Sequence, residues 1–205
     1  MFIERPPEWV RKLAKEGIFI GEPEKDGRKM VYLTFDDGPI PEVTPRVLDL
    51  LDRYGIKATF FMVGDNVRKH PDVFEEVKRR GHKLGNHTMH HLQGLHEGRD
   101  SYVSDVAEAD AYIGSNLFRP PHGWLKKSQR KALQEKYKII MYDLVTRDYS
   151  KRLNADEVFE NVKRYARPGS IIVFHDSLKS LPRLFDALPR SIEWLLKEGY
   201  EFDTI

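Results

Sequence analysis

The feature that most constrains the fold of this chain is a repeated alternation of short apolar runs with longer amphipathic segments. Each apolar run is followed by a polar loop, an amphipathic stretch and a glycine, which is the order of consecutive βα units. Because the runs are almost entirely apolar, we expect parallel strands that are buried on both faces. The pattern predicts an α/β fold, a distorted (β/α) barrel with about seven parallel strands, and an open sheet of the same units is the alternative. The runs predicted to be strands are residues 31–35, 58–63, 83–85, 117–119, 138–144, 170–175 and 201–205.

The amphipathic segments carry the start and stop signals of helices. Thr44 followed by Pro45 predicts an N-cap with proline at the first helical position. Asn154 and Glu157 have the spacing of a capping box before another helix. The remaining predicted helix boundaries are Gly55, Pro71, Gly81, Gly169, Ser191, Lys197 and Gly199.

Length favours one main domain, since single α/β barrels extend to roughly 250 residues and this chain has 205. A content of 40% hydrophobic and 32% charged residues is sufficient for a sizeable core. Residues 1–28 are predicted to be a helix and loop that extend the barrel and pack on it. Residues 29–205 are predicted to be the main domain.

Charge and cysteine content exclude several classes of function. Lys and Arg number 34 against 32 Asp and Glu, so a net charge of +2 predicts no nucleic-acid partner. With no cysteine, any metal must be held by His, Asp or Glu. We recognise neither a signal peptide nor a stretch long enough to span a membrane, so we expect no membrane insertion. A cytoplasmic location is expected, with the cell envelope as the alternative if a leader has been removed.

Histidine is concentrated in one short segment. Residues 82–96 hold five of the eight histidines, where even spacing would place fewer than one. His87 and His91 are four residues apart, and a helical turn would put both imidazoles on one face, within reach of one metal ion. A solvated polar loop is the ordinary alternative for such a pair.

Two adjacent carboxylates follow the first main strand. Asp36 and Asp37 come directly after residues 31–35 and before a Gly-Pro turn. Adjacent acids repel each other, and a bound cation would offset that cost, although an Asp-Gly turn with incidental charge is the alternative. Like the histidine pair, they lie at the C-terminal end of a parallel strand, where α/β barrels place their active sites.

Polar residues also follow the other predicted strands. Each has an ordinary explanation on its own, such as a surface cation, a cap or a satisfied histidine at an edge. Their common position on one rim of the barrel favours an active site. These residues are Arg119, His122, Tyr142, Asp143, Arg147, Asp148, Tyr149, His175 and Asp176.

The motifs together resemble those of the polysaccharide deacetylase family, also called carbohydrate esterase family 4 or the NodB-like family. The first motif corresponds to residues 34–39, Thr-Phe-Asp-Asp-Gly-Pro. The second corresponds to residues 87–91, His-Thr-Met-His-His, and the third to residues 119–123, Arg-Pro-Pro-His-Gly. The resemblance extends from about Val31 to the C-terminus.

The resemblance implies a metal site and a catalytic set. Asp37, His87 and His91 would hold one divalent ion, expected to be zinc, with cobalt or another divalent ion as alternatives. The other implied roles are a catalytic base at Asp36, Arg119 to orient that base, a general acid at His175, and Asp148 to support His175.

Two positions depart from the family pattern at the expected substrate groove. Tyr149 stands where the family usually has tryptophan, and His122 stands where another aromatic residue is common. We expect both to contact the substrate or the oxyanion. A third departure, Ile172 in place of leucine, is conservative.

The expected function is a metal-dependent hydrolase that removes N-acetyl or O-acetyl groups from an N-acetylglucosamine-type glycan or oligosaccharide. The glycan is implied by the resemblance alone. Three alternatives remain: another metal-dependent amidase, oxygen activation at Fe(II) by two histidines and one carboxylate, and a catalytically silent sugar-binding module.

Overall fold

A curled sheet of mostly parallel strands organises the protein. The computed structural model describes residues 4–14 and 16–205. Its strands are β1 (Glu24–Lys25), β2 (Arg28–Asp36), β3 (Thr59–Met62), β4 (Lys83–Asn86), β5 (Leu117–Phe118), β6 (Lys138–Ile139), β7 (Leu144–Val145), β8 (Ile171–His175) and β9 (Tyr200–Phe202). Its helices are α1 (Glu8–Leu13), α2 (Thr44–Arg53), α3 (Gly64–Lys69), α4 (Pro71–Arg79), α5 (Arg99–Ile113), α6 (Lys127–Leu133), α7 (Ala155–Tyr165) and α8 (Leu181–Lys197).

Seven strands form the main path of the sheet, in the order β6-β5-β4-β3-β2-β8-β7, and every pair along it is parallel. β9 runs parallel to the first half of β2, and β1 pairs with β2 in the antiparallel direction. The predicted distorted (β/α) barrel of about seven parallel strands is confirmed. Its strands carry their C-terminal ends to one rim, as the sequence predicts.

One predicted strand is wrong in its extent. Residues 138–144 were expected to form a single strand, but they contribute β6 at one edge of the sheet and the start of β7 at the other. Residues 140–143 cross between the two edges. Local apolar character cannot distinguish one strand from two, because the division depends on how far the sheet curls.

The helix boundaries agree with the sequence signals in part. Asn154 and Glu157 form the expected capping box at α7, with mutual bonds of 2.8 and 2.9 Å. Thr44 is not an N-cap, because Val43 holds that position and the Thr44 hydroxyl binds Asp176. The last helix begins at Leu181, ten residues before the expected Ser191.

The core is densest around β2. This strand is buried from Met30 to Asp36. The Phe35 ring lies between Phe60 of β3 and Phe174 of β8, with ring centroids 5.0 and 6.2 Å away. Full burial of a phenylalanine side chain contributes about 1.5–3 kcal/mol, so the strand that ends in the two carboxylates is firmly held.

The segment before β1 packs across the gap between the sheet edges. The Ile18 N–H donates to the Ile139 carbonyl at 2.9 Å, and the Ile18 carbonyl accepts from Met141 at 2.8 Å. Three residues later, the Gly21 N–H donates to the Gly169 carbonyl at 2.9 Å. These bonds connect the segment to both sides of the gap.

Asp143 anchors the same segment. Its carboxylate is fully buried and binds Arg5, Arg11 and Arg167, the last at 2.8 Å, together with the Ser170 hydroxyl at 2.7 Å. Burial alone would raise the pKa of Asp143, but Arg167, Arg11 and Ser170 hold this pKa below its usual value. Asp143 therefore ties residues 5 and 11 to the barrel. None of the described helices has the length and hydropathy needed to span a bilayer.

Candidate active site

The C-terminal ends of the strands surround a cavity of about 530 Å³. Its lining includes eight of the nine site residues predicted from sequence, and the ninth, Asp148, lies fully buried behind His175. The eight are Asp36, Asp37, His87, His91, Arg119, His122, Tyr149 and His175. They come from five different strand ends, so the sheet brings together groups that are far apart in the chain.

Asp37, His87 and His91, here called the donor trio, place their ligand atoms within 4.8 Å of one another. The Asp37 Oδ1 atom is 3.2 Å from His91 Nε2 and 3.9 Å from His87 Nε2. The expected helical turn does not join His87 to His91. They are joined by a loop in which Thr88 and His91 have φ values of +66° and +54°.

The His87 imidazole is prepared to act as a ligand. Its Nδ1 lies 2.8 Å from the Arg119 carbonyl, which accepts a hydrogen bond and so requires the proton on Nδ1. Burial lowers the pKa of His87 to about 4, which leaves the ring neutral at pH 7. The lone pair on Nε2 therefore faces Asp37.

Asp37 completes a donor set that fits a divalent ion. Burial alone would raise the pKa of Asp37, but the hydrogen bond to His91 and the nearby charge of His175 hold it well below its usual value. Two imidazole nitrogens and an ionised carboxylate are a donor combination found in catalytic metal sites.

Asp36 has a different environment from its neighbour. Its carboxylate is buried and accepts a hydrogen bond from Arg119 Nη1 at 2.7 Å. Arg119 is in turn held by the Thr34 hydroxyl at 2.7 Å and the Met141 carbonyl at 3.1 Å. Its guanidinium also lies 4.0 Å from the ring centroid of Phe61. The position of the Asp36 carboxylate is thus set by a fixed cation.

His175 lies across the cavity with Asp148 behind it. The Nδ1 atom of His175 is 2.8 Å from Asp148 Oδ1, and the His175 backbone N–H donates to Oδ2 at 2.8 Å. Burial alone would lower the pKa of His175, but the Asp148 carboxylate outweighs it and raises the pKa to about 9. The imidazole therefore carries a proton at neutral pH.

The two positions that depart from the family pattern both line the cavity. The His122 ring packs edge to face on His91 with centroids 5.0 Å apart, and its backbone has φ +60°. The Tyr149 ring meets His175 edge to face at 4.8 Å. Each therefore adjoins a group with a predicted metal or catalytic role.

Sequence reasoning missed Asp105, a buried carboxylate on α5 that binds the loop between the two histidines. A signal was present, because Asp105 falls in the apolar stripe formed by Tyr102, Val106 and Ala109. A carboxylate at the core-facing spacing of a helix needs a partner.

Comparison with known proteins agrees with this geometry. The family model described as polysaccharide deacetylase matches residues 24–138. The chain belongs to the polysaccharide deacetylase family. This family depends on a metal ion, and the donor trio of this chain has side chains that could hold one.

Individual polysaccharide deacetylases are similar over most of the chain. The peptidoglycan-N-acetylglucosamine deacetylase of Bacillus cereus is 32% identical over 188 residues, which cover 88% of each chain. The crystal structure of the Bc1960 peptidoglycan N-acetylglucosamine deacetylase has a TM-score of 0.86 at 33% identity, covering 98% of this chain and 94% of that one. A CE4 family pseudoenzyme from Bacillus anthracis has a TM-score of 0.80 at 26% identity, covering 92% and 67%.

Proposed function

We propose that this chain is a metal-dependent deacetylase that removes N-acetyl groups from an N-acetylglucosamine-containing glycan, with peptidoglycan as the first candidate. The observation that carries the proposal is that the Asp36–Arg119 and His175–Asp148 pairs both open into the cavity that contains the donor trio. The names of two similar Bacillus cereus proteins support the choice of glycan. A peptidoglycan substrate would favour the cell envelope over the cytoplasm as the location of this protein.

The donor trio would hold the metal, and zinc is the ion we propose. Catalytic zinc sites commonly use two histidines and one carboxylate and leave a position open. When bound, the ion supplies Lewis acidity, which polarises a carbonyl and acidifies water.

Asp36 is the proposed general base. It lines the cavity beside Asp37, and the Arg119 guanidinium keeps its carboxylate in one orientation. It would accept the proton that an attacking water loses as it adds to the acetyl carbonyl. A base held in position in this way accelerates a reaction by about 10²–10⁴-fold.

His175 is the proposed general acid. The carbon–nitrogen bond of an amide breaks only when the departing nitrogen gains a proton. His175 carries that proton at neutral pH, and Asp148 stabilises the charged ring and fixes its orientation, with Nε2 pointing away from Asp148. The acid and the base are thus separate residues on different strands.

His122 and Tyr149 are proposed to contact the substrate. A backbone N–H near His122 would donate to the oxyanion, and the Tyr149 ring would contact the sugar beside His175. Because both positions differ from the usual family residues, they are candidates for setting which acetylated sugar is accepted.

The proposal is tested by acetate release from the zinc-loaded protein. The substrate panel contains N-acetylglucosamine oligomers, peptidoglycan fragments and an O-acetylated sugar, and free amine is measured together with acetate. We expect equal amounts of acetate and amine from the N-acetylated substrates, and release at least about 100-fold slower from Asp36→Asn with the same zinc content.

A chain that binds these sugars and releases no acetate when zinc-loaded would contradict the proposal and favour a silent sugar-binding module. The pseudoenzyme among its structural neighbours makes that outcome worth testing. The presence of Asp36, Arg119 and His175 in one cavity favours the enzyme.

A further inference from the structure

A buried carboxylate on α5 holds the loop that carries two members of the donor trio. Asp105 is 7% exposed, and its Oδ2 accepts hydrogen bonds from the backbone N–H groups of Met89 at 2.8 Å and His90 at 3.2 Å. Its Oδ1 lies 2.6 Å from Nδ1 of His90. Asp105 does not line the active-site cavity, so it has no direct part in the chemistry proposed above.

The loop from His87 to His91 needs such support because of its backbone. Thr88 and His91 both have positive φ, a conformation that costs free energy for residues with a side chain. Backbone of this kind persists only where the surroundings impose it. Without its partners, the loop would be free to relax and move His91.

Several other bonds hold the first half of the loop. The Thr88 N–H donates to Asn86 Oδ1 at 2.8 Å, and Asn86 Nδ2 donates to the Val106 carbonyl of α5 at 2.9 Å. The Thr88 carbonyl also accepts from the Gly64 N–H at 2.9 Å. Helix α5 therefore holds the loop through the Val106 carbonyl as well as through Asp105.

The two histidines of the trio depend on this loop to different degrees. His87 is fixed next to the sheet, since its N–H donates to the Met62 carbonyl at 2.9 Å and its ring binds the Arg119 carbonyl. His91 has a side chain that is 35% exposed and follows the two residues whose N–H groups bind Asp105. Displacement of the loop would therefore move His91 more than His87.

We propose that Asp105 is a positioning residue for the metal site, which fixes the loop so that His91 Nε2 faces the same point as the other two donors. The inference rests on the proposed function for the presence of the metal. It assigns Asp105 an effect on metal affinity and leaves the catalytic groups unaffected, because Asp36 and His175 are held by other elements.

His90, Asp105 and Glu108 also place ligand atoms within 4.8 Å of one another. This cluster is a poor metal site, because both Asp105 oxygens already have partners and His90 and Glu108 are exposed. An ion there would have to displace the hydrogen bonds that hold the loop. The experiment distinguishes the two roles.

The test compares Asp105→Ala, Asp105→Asn and the matched control Glu108→Gln, which lies one turn further along α5. Zinc affinity is measured by chelator competition on the metal-free proteins, and zinc stoichiometry and the unfolding midpoint are measured on the same samples. We expect Asp105→Ala to bind zinc about 10- to 100-fold more weakly, as for other residues that orient metal ligands.

Asp105→Asn should recover most of the affinity, because an amide oxygen can accept the two backbone N–H bonds. Glu108→Gln should match the wild type, with one zinc per chain in both. At saturating zinc, the turnover of Asp105→Ala should approach the wild-type value, which a general loss of structure would not allow.

Wild-type zinc affinity in Asp105→Ala would overturn the inference. Two zinc ions per wild-type chain, one of them lost in Glu108→Gln, would also overturn it and identify a second metal site. Because zinc binding is measured apart from turnover, a wild-type protein that binds zinc and releases no acetate contradicts the proposed function alone.

Discussion

Asp36 and Asp37 are adjacent in the chain, but they have different partners in the structure. Asp36 is buried against Arg119, while Asp37, with φ +85°, turns towards His91. The left-handed backbone at Asp37 lets adjacent carboxylates face different groups. The proposed base and a proposed metal ligand can therefore stand next to each other in sequence.

We predict that the two carboxylates are separable by mutation. Asp36→Asn should keep its zinc and lose about 100-fold or more in turnover, because a positioned base is removed and the donor trio is intact. Asp37→Asn should weaken zinc binding instead. Metal analysis and acetate release on both variants check this, and the opposite pattern would show that the two roles are exchanged.

We predict that His175 sets the high-pH limb of the rate. With a pKa of about 9, His175 is protonated below that pH, and the rate on an N-acetyl sugar should fall as pH rises through the pKa. A bound divalent ion adds positive charge, so the limb should lie at or below pH 9. In Asp148→Asn, burial is no longer opposed by that carboxylate, and the limb should move to lower pH.

Substrate choice provides a second measurement of the same residue. His175→Ala should lose activity on an N-acetyl sugar and keep a larger fraction on a nitrophenyl acetate, because nitrophenolate departs without a proton. Zinc content should be unchanged. An equal proportional loss on both substrates would assign His175 a role other than protonating the leaving group.

At the scale of elements, close packing of β3 and β4 supports Asp36, the proposed base. A Cβ atom placed on Gly85 would come within 2.3 Å of the Phe61 ring. The same ring lies under the guanidinium of Arg119, which binds Asp36. Because Gly85 has no side chain, the Phe61 ring can occupy the position from which it supports the Asp36–Arg119 pair.

We predict that Gly85→Ala lowers both stability and turnover. Overpacking in a core costs about 1–3 kcal/mol, and displacement of Phe61 should disturb the orientation of Arg119. Gly98→Ala is the control, since nothing lies within 4 Å of a Cβ atom there. Thermal unfolding and acetate release are measured on both variants. Wild-type turnover in a destabilised Gly85→Ala would show that the Asp36–Arg119 pair does not depend on the position of Phe61.

At the scale of the whole molecule, the segment before β1 contributes one wall of the cavity. Pro6, Pro7, Val10 and Phe19 line it together with the proposed catalytic groups. The bonds of Asp143 to Arg5 and Arg11 hold this segment on the barrel, and the separate status of residues 1–28 stays a prediction. We propose that the segment acts as part of the substrate site.

We predict that Val10→Asp raises KM for a glycan by about ten-fold, because an unpaired carboxylate replaces apolar surface in the wall. Turnover of a small acetyl ester and zinc content should be unchanged. Trp9→Ser is the matched control, since Trp9 is 60% exposed and does not line the cavity. Equal KM values in the two variants would show that this wall does not contribute to substrate binding.

The sequence by itself determined the βα alternation, most strand positions and the capping box of α7. These features depend on hydrophobic pattern and on hydrogen bonds between residues three or four apart, which a single segment reveals. It also named the residues that meet in the cavity, because strand ends in this architecture share one rim. Their roles stay predictions until the variants are measured.

Only the tertiary structure decided how residues 138–144 divide between two sheet edges, and that a loop rather than a helical turn joins His87 to His91. It also decided that Asp105 and Asp143 serve as anchors. Each outcome depends on partners distant in the chain: Arg11 is 132 residues from Asp143. A local pattern contains no information about such partners, because they meet only when the sheet curls and brings its edges together.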